Sequence, residues 1–187
     1  IGSGKTIFCN IFERHGAYVL NADELAKNIM VENPSVKKEI IDTFGAKSYK
    51  KDGRLNREYL AEQAFNMGRV EELNDIVHPR IPKTASEIMK EAEKEGFDVF
   101  VYEAALLLQN LRPENLDYVI LLLADKEKRI QRVQERDGVK KELVIDRMQH
   151  QQNFEELTHL ADIVIENNGT LEELEAKAEK VYYEILT

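Results

Sequence analysis

The first residues, Ile1-Gly2-Ser3-Gly4-Lys5-Thr6, are those best suited to holding phosphate. They match the tail of the pattern G-x-x-x-x-G-K-[ST], whose first glycine is expected two residues before Ile1. Glycines let backbone N–H groups converge on phosphate oxygens, and the start of a following helix adds a favourable dipole. In such a loop Lys5 reaches the β- and γ-phosphates of a nucleotide, and the Thr6 hydroxyl ligates Mg2+. The plain alternative is a glycine turn that starts a helix. A phosphate loop normally follows a buried parallel strand, and a sheet lacking that strand leaves backbone donors and acceptors unpaired. The expectation is therefore a further strand of roughly 5–6 residues upstream.

Asp23 is the second candidate. A carboxylate at a strand end beside the loop can take the proton of an attacking hydroxyl or hold Mg2+ through water. It can equally be a helix N-cap or first-turn residue, a role open to Asn21 as well. Lys126, Arg129, Arg132 and Arg136 fall on one helical stripe. That stripe either closes over a triphosphate or is a solvated face paired with Glu127, Glu135 and Asp137. His78, just before Pro79, is either a ligand contact or a helix end. No His/Cys metal cluster and no Ser-His-Asp arrangement is supported.

The elements that must carry these residues alternate. Thr6 to His15 reads as a helix, Ala17 to Leu20 as a buried strand, and Asn21-Ala22-Asp23 as the start of another helix. Pro34 opens a helix to Phe44, and Lys50 to Gly53 make a turn. From Asn56 to Glu95 the pattern is mostly helical, broken near Gly68 and at His78-Pro79. Phe97 to Tyr102 and Tyr118 to Leu123 are apolar runs of the kind found in buried parallel strands. A charged helix follows from Asp125 and another from about Lys140 to His159. Asp162 to Ile165 is the last strand, and Thr170-Leu171-Glu172-Glu173 is a capping box. This alternation predicts an α/β fold, doubly wound around a parallel sheet.

Composition narrows the partners. The chain has 187 residues, 43% hydrophobic and 33% charged, enough for one packed domain with a small insertion. A net charge of −9 argues against a general nucleic-acid surface, while a local cluster of cations can still hold a phosphorylated small molecule. Cys9 is the single cysteine, so no internal disulfide exists. No apolar stretch approaches a membrane span and no secretory signal is recognised, so a cytoplasmic location is expected.

As an ordered set these segments resemble the dephospho-CoA kinase family. Residues 1–6 match its G-G-I-G-S-G-K-[ST] loop from the third position. Val19 to Asp23 match V-[IV]-D-A-D with Asn21 in place of the first aspartate. Leu73 to Pro79 are similar to L-x-x-I-x-H-P, and Arg132 to Asp137 to R-x-x-x-R-D. Arg147 and Gln151 fit R-x-x-x-Q, and Ala161 to Gly169 match A-D-x-V-I-x-N-x-G. Glu103 to Gln109 depart from D-x-P-L-L-F-E, and Arg80 and Lys83 lie near the place of an expected arginine.

The resemblance implies a P-loop kinase fold over residues 1–187, with a helical acceptor-binding insertion at 48–96 and a lid at 125–155. It implies transfer of the ATP γ-phosphoryl to the ribose 3′-hydroxyl of dephospho-CoA, with Mg2+. Asp23 is then the base and Lys5, Arg132 and Arg136 stabilise the transferring group. Ile1, Gly2, Ser3, Gly4, Lys5, Thr6, Arg136 and Asn167 bind ATP, Thr6 the metal, and Asp23 and His78 the acceptor. No nucleic acid, membrane or obligate protein partner is expected. A kinase for another nucleotide or small molecule shares the donor site and differs in acceptor. A non-catalytic nucleotide switch needs loops that respond to the γ-phosphate, and none is identified in the sequence.

Overall fold

A computed structural model describes residues 1–105, 107–108, 115–149, 151 and 153–187, apart from the Phe65 side chain. In chain order the elements are α1 (Lys5–Arg14), β1 (Tyr18–Asn21), α2 (Ala22–Glu32), α3 (Pro34–Phe44), α4 (Arg57–Ala61), α5 (Val70–Val77), α6 (Ile81–Lys94), β2 (Phe100–Glu103), β3 (Ile120–Leu123), α7 (Lys126–Asp137), α8 (Lys141–Gln149), β4 (Ile163–Glu166) and α9 (Leu171–Ile185). The chain divides into two compact units, residues 1–19 with 105–187, and residues 20–104. Among the described residues no helix is long and apolar enough to cross a membrane.

In the first unit β3 and β4 pair in parallel, with Ile120 opposite Ile163 and Leu123 opposite Glu166. Parallel neighbours need a crossover, and α7 and α8 lie in it. Those two helices bury Ile130, Val133 and Val144 together, with Ile1, Val139, Ile145 and Met148 packed around them. Phe8, Phe12 and Tyr182 join α1 to α9, the Phe12 and Tyr182 rings meeting edge to face at 5.3 Å. The predicted capping box starts α9: Glu173 N–H donates to Thr170 Oγ1 and Thr170 N–H to Glu173 Oε2.

The second unit is a helical core. Leu25, Ile29, Val36, Ile40, Phe44, Tyr49, Leu60, Ile76 and Val77 are buried together, drawn from α2 to α5 and the α3–α4 connection. Asn33 accepts the Ser35 and Val36 N–H groups and Pro34 occupies the first turn, so α3 starts where the sequence predicts. The Tyr49 hydroxyl donates to Met30 O at 2.6 Å, and burial pushes its pKa up to about 12. Lys50 to Gly53 form the predicted turn, closed by Gly53 N–H donating to Lys50 O at 2.9 Å. β2 is hydrogen-bonded to β1, whose end, Leu20 and Asn21, belongs to this unit.

The α/β class with parallel strands holds; several element ends differ by a residue or more from the expectation, and three of the differences have clear local reasons. Phe97 is not in a strand, because its N–H donates to Ala92 O while Gly96 N–H donates to Glu93 O, closing the end of α6. β2 therefore begins at Phe100. Val119 stands before β3, its N–H taken by Asp162 Oδ2 and its carbonyl shared by the Asp162 and Ile163 N–H groups. The single helix expected from Lys140 to His159 is two pieces, because Asn153 Oδ1 accepts Glu155 N–H and starts a separate 3-10 segment, Phe154–Leu160.

Candidate active site

The loop of residues 1–4 turns directly into α1 at Lys5. Gly2 and Gly4 have φ of +78° and +94°, a region costly for any other L-residue. Space gives a second reason. A Cβ on Gly2 would stand 2.6 Å from the Arg129 carbonyl oxygen, and one on Gly4 would meet the Asn167 amide nitrogen. The first turn of α1 holds no acidic residue to compete with a bound anion. Lys5 is half-buried there and Thr6 is exposed.

α7 and the segment after β4 grip this loop. Arg129 Nε donates to Ile1 O at 2.8 Å, and its Nη2 to Gln151 Oε1 at 3.4 Å. The same Gln151 oxygen accepts from the Ile1 nitrogen at 2.5 Å. Asn167, 4% exposed, donates from Nδ2 to Ser3 O at 2.8 Å and accepts from Arg132 Nη2 at 3.4 Å. Arg132 Nη2 also reaches Gly169 O, whereas its buried Nη1 has no hydrogen-bond partner among the described residues. A buried guanidinium N–H without an acceptor is costly, and an anionic oxygen is the group that would satisfy it.

Arg129, Lys5 and Arg136 all act electrostatically at Ile1, so positive charge gathers at the loop, where it favours an anion.

The predicted cationic stripe is therefore not uniform. Arg129 and Arg132 turn onto the loop and its neighbour, while Arg136 is exposed and donates to Asp137 Oδ1 at 2.7 Å. The hydrogen bond to Asp137 holds the Arg136 guanidinium above its usual pKa, and Arg136 holds the Asp137 carboxyl below its own. Glu127 pairs with Lys141 rather than along the stripe.

In the second unit Asn21 caps α2, its Oδ1 accepting Glu24 N–H at 2.9 Å, and Asp23 lies exposed in the first turn. The capping role thus falls to Asn21. Asp23 lies near the end of β2, where burial first and then the Asp23 charge raise the pKa of the Tyr102 hydroxyl. His78 is exposed at the end of α5. Arg80 donates to Glu39 Oε1 at 2.5 Å and to Ile76 O at 2.7 Å, which ties it to the helical core. Lys83 is exposed. Gln109 lies outside the described residues.

Sequence reasoning did not place Arg129 on the loop or Glu103 beside Asn21. Arg129 carried a signal, standing one turn before Arg132 on the same face. Glu103 carried none, because its contact spans 82 positions.

The fold is similar to that of solved structures. A Thermus thermophilus protein, TT1252, superposes with a TM-score of 0.77 at 29% identity, covering 99% of this chain and 93% of its own. The dephospho-CoA kinase from Campylobacter jejuni gives 0.73 at 30% identity, covering 99% and 92%. With the glycine loop, Lys5 and the arginines of α7, the fold defines a P-loop kinase of the α/β class. The family model for dephospho-CoA kinase matches residues 1–173. A dephospho-CoA kinase of Salinibacter ruber is 45% identical over 186 residues, 99% of this chain and 94% of that protein. One from Corynebacterium glutamicum is 35% identical over 188 residues, covering 100% and 94%. This chain belongs to the dephospho-CoA kinase family.

Proposed function

We propose that the enzyme transfers the γ-phosphoryl of ATP to the ribose 3′-hydroxyl of dephospho-CoA, giving coenzyme A and ADP in the cytoplasm. The observation that carries the donor half is the loop itself: two left-handed glycines pressed against Arg129 and Asn167, opening a helix at Lys5. The acceptor half follows from family membership. In this reading the backbone of residues 1–4 and the Lys5 ammonium hold the phosphates. Asn167 supports the loop at Ser3 and borders the adenine. Arg132 offers its unsatisfied Nη1 to a phosphate oxygen, and Arg136 leaves Asp137 to join it from the lid, residues 125–155.

Asp23 accepts the proton of the 3′-hydroxyl as its oxygen attacks the γ-phosphorus and the bond to the β-phosphate oxygen breaks. The helical residues 48–96 receive the acceptor, with His78 at their surface. The exposed Thr6 hydroxyl, in the first turn after the loop, suits one ligand position of a Mg2+ ion. Mg2+ bound there would neutralise charge on the β- and γ-phosphates.

The test follows ADP and identifies the product by mass with Mg·ATP and dephospho-CoA, using AMP, CMP, shikimate and pantothenate as parallel acceptors. One coenzyme A per ADP from dephospho-CoA alone is expected; tight ATP binding with turnover of another acceptor would overturn the acceptor half. Asp23→Asn should lower kcat by roughly 10²–10⁴-fold with little change in ATP affinity, and an unchanged kcat would remove Asp23 as the base.

A further inference from the structure

The end of β2 holds a carboxylate that this mechanism does not use. Glu103 is 5% exposed, and its Oε2 accepts a hydrogen bond from Asn21 Nδ2 at 2.8 Å. The other end of the same amide, Asn21 Oδ1, accepts Glu24 N–H and caps α2. One side chain thus donates to the end of β2 and accepts from the start of α2. Asparagine can do both at once. An aspartate can cap but has no proton for Glu103, and would set two carboxylates at hydrogen-bond distance. A serine can cap and is too short to keep both partners. Asp23 stands two residues further on, in the turn that Asn21 caps, and its charge reaches Tyr102, the neighbour of Glu103. Whatever fixes the Asn21 amide therefore fixes the backbone from which Asp23 projects.

We propose that Asn21 and Glu103 are a positioning pair: the amide bridges the buried Glu103 carboxylate to the start of α2 and so orients Asp23 for proton uptake. The pair acts through Asp23 and rests on the phosphoryl-transfer reading above. Its test compares the full chain with Asn21→Ser, Asn21→Asp, Glu103→Gln and the double variant Asn21→Asp/Glu103→Gln, measuring kcat, KM for ATP and unfolding midpoints. Asn21→Ser retains a good cap. It should nevertheless lose roughly 10- to 100-fold in kcat, with KM for ATP held within about twofold.

Asn21→Asp should fall similarly. The double variant puts the amide on β2 and the carboxylate on β1, restoring a hydrogen bond in the reverse sense, and should regain about tenfold or more over Asn21→Asp. Wild-type kcat in either single Asn21 variant, or a double variant no better than Asn21→Asp, would overturn the pairing. The unfolding midpoints judge the pair apart from the reaction. Non-additive midpoints support a coupled pair and additive ones refute it, whereas a wild-type chain that makes no coenzyme A fails only the reaction reading.

Discussion

At the scale of single residues, the arginines of α7 differ in their surroundings more than in their chemistry. Arg132 is half-buried, reaches Asn167 and Gly169, and keeps a buried Nη1 without a partner among the described residues. Arg136 is exposed and paired with Asp137. Surface ion pairs contribute about 0–1 kcal/mol, so removing Arg136 should scarcely change stability. Arg136→Ala is expected to lower kcat while its urea midpoint stays at the wild-type value. Arg132→Ala should lower kcat and loosen Asn167 as well, lowering stability by about 1 kcal/mol in the same titration. Unchanged kinetics in Arg136→Ala would return that residue to an ordinary solvated face. The two substitutions therefore separate phosphate contact from support of the loop.

At the scale of elements, α1 has no side-chain cap at Gly4, whereas α9 has a complete capping box. The contrast fits the proposed nucleotide site, in which N–H groups at the start of α1 face an anion while α9 has no such role. Its cap is therefore structural. Thr170→Ala is expected to cost about 1 kcal/mol of stability in a urea titration without changing KM for ATP. A change in KM with no loss of stability would mean that the turn before α9 acts on nucleotide directly. α9 also buries Leu174, Ala178, Val181 and Tyr182, and the packing of Tyr182 on Phe12 ties it to the helix that follows the phosphate loop.

At the scale of the whole molecule, a net charge of −9 coexists with a loop region flanked by Lys5, Arg129 and Arg132. Screening limits the reach of distant acidic side chains, while half-buried cations beside the loop act at short range. Ligand binding to the native state should then raise stability: at about 100 times Kd, Mg·ATP adds about 2.7 kcal/mol, or roughly 5–10 °C in the melting midpoint. Lys5→Ala at the same nucleotide concentration should show a shift below about 2 °C, again on the scale set by binding linkage. Equal shifts in both proteins would place the nucleotide away from the loop.

Features under local chemical control were legible in the residues alone. Gly2, Gly4, Lys5 and Thr6 announced the loop, Asn33-Pro34 and Thr170 to Glu173 announced helix starts, and Lys50 to Gly53 announced a turn. Each signal lies within a few residues and works through backbone conformation or a nearby hydrogen bond. The four strands among the described residues were also legible from their apolar runs, though not their ends, because Phe97 and Val119 give their backbone groups to α6 and Asp162. Long-range packing set how the arginine stripe divides, why Gly2 admits no side chain, and that Asn21 faces Glu103. Those outcomes depend on groups far apart in the chain. The spacing of charges along a helix names the face they share, and only the packing against that face decides which of them is buried, paired or left with a hydrogen bond to offer.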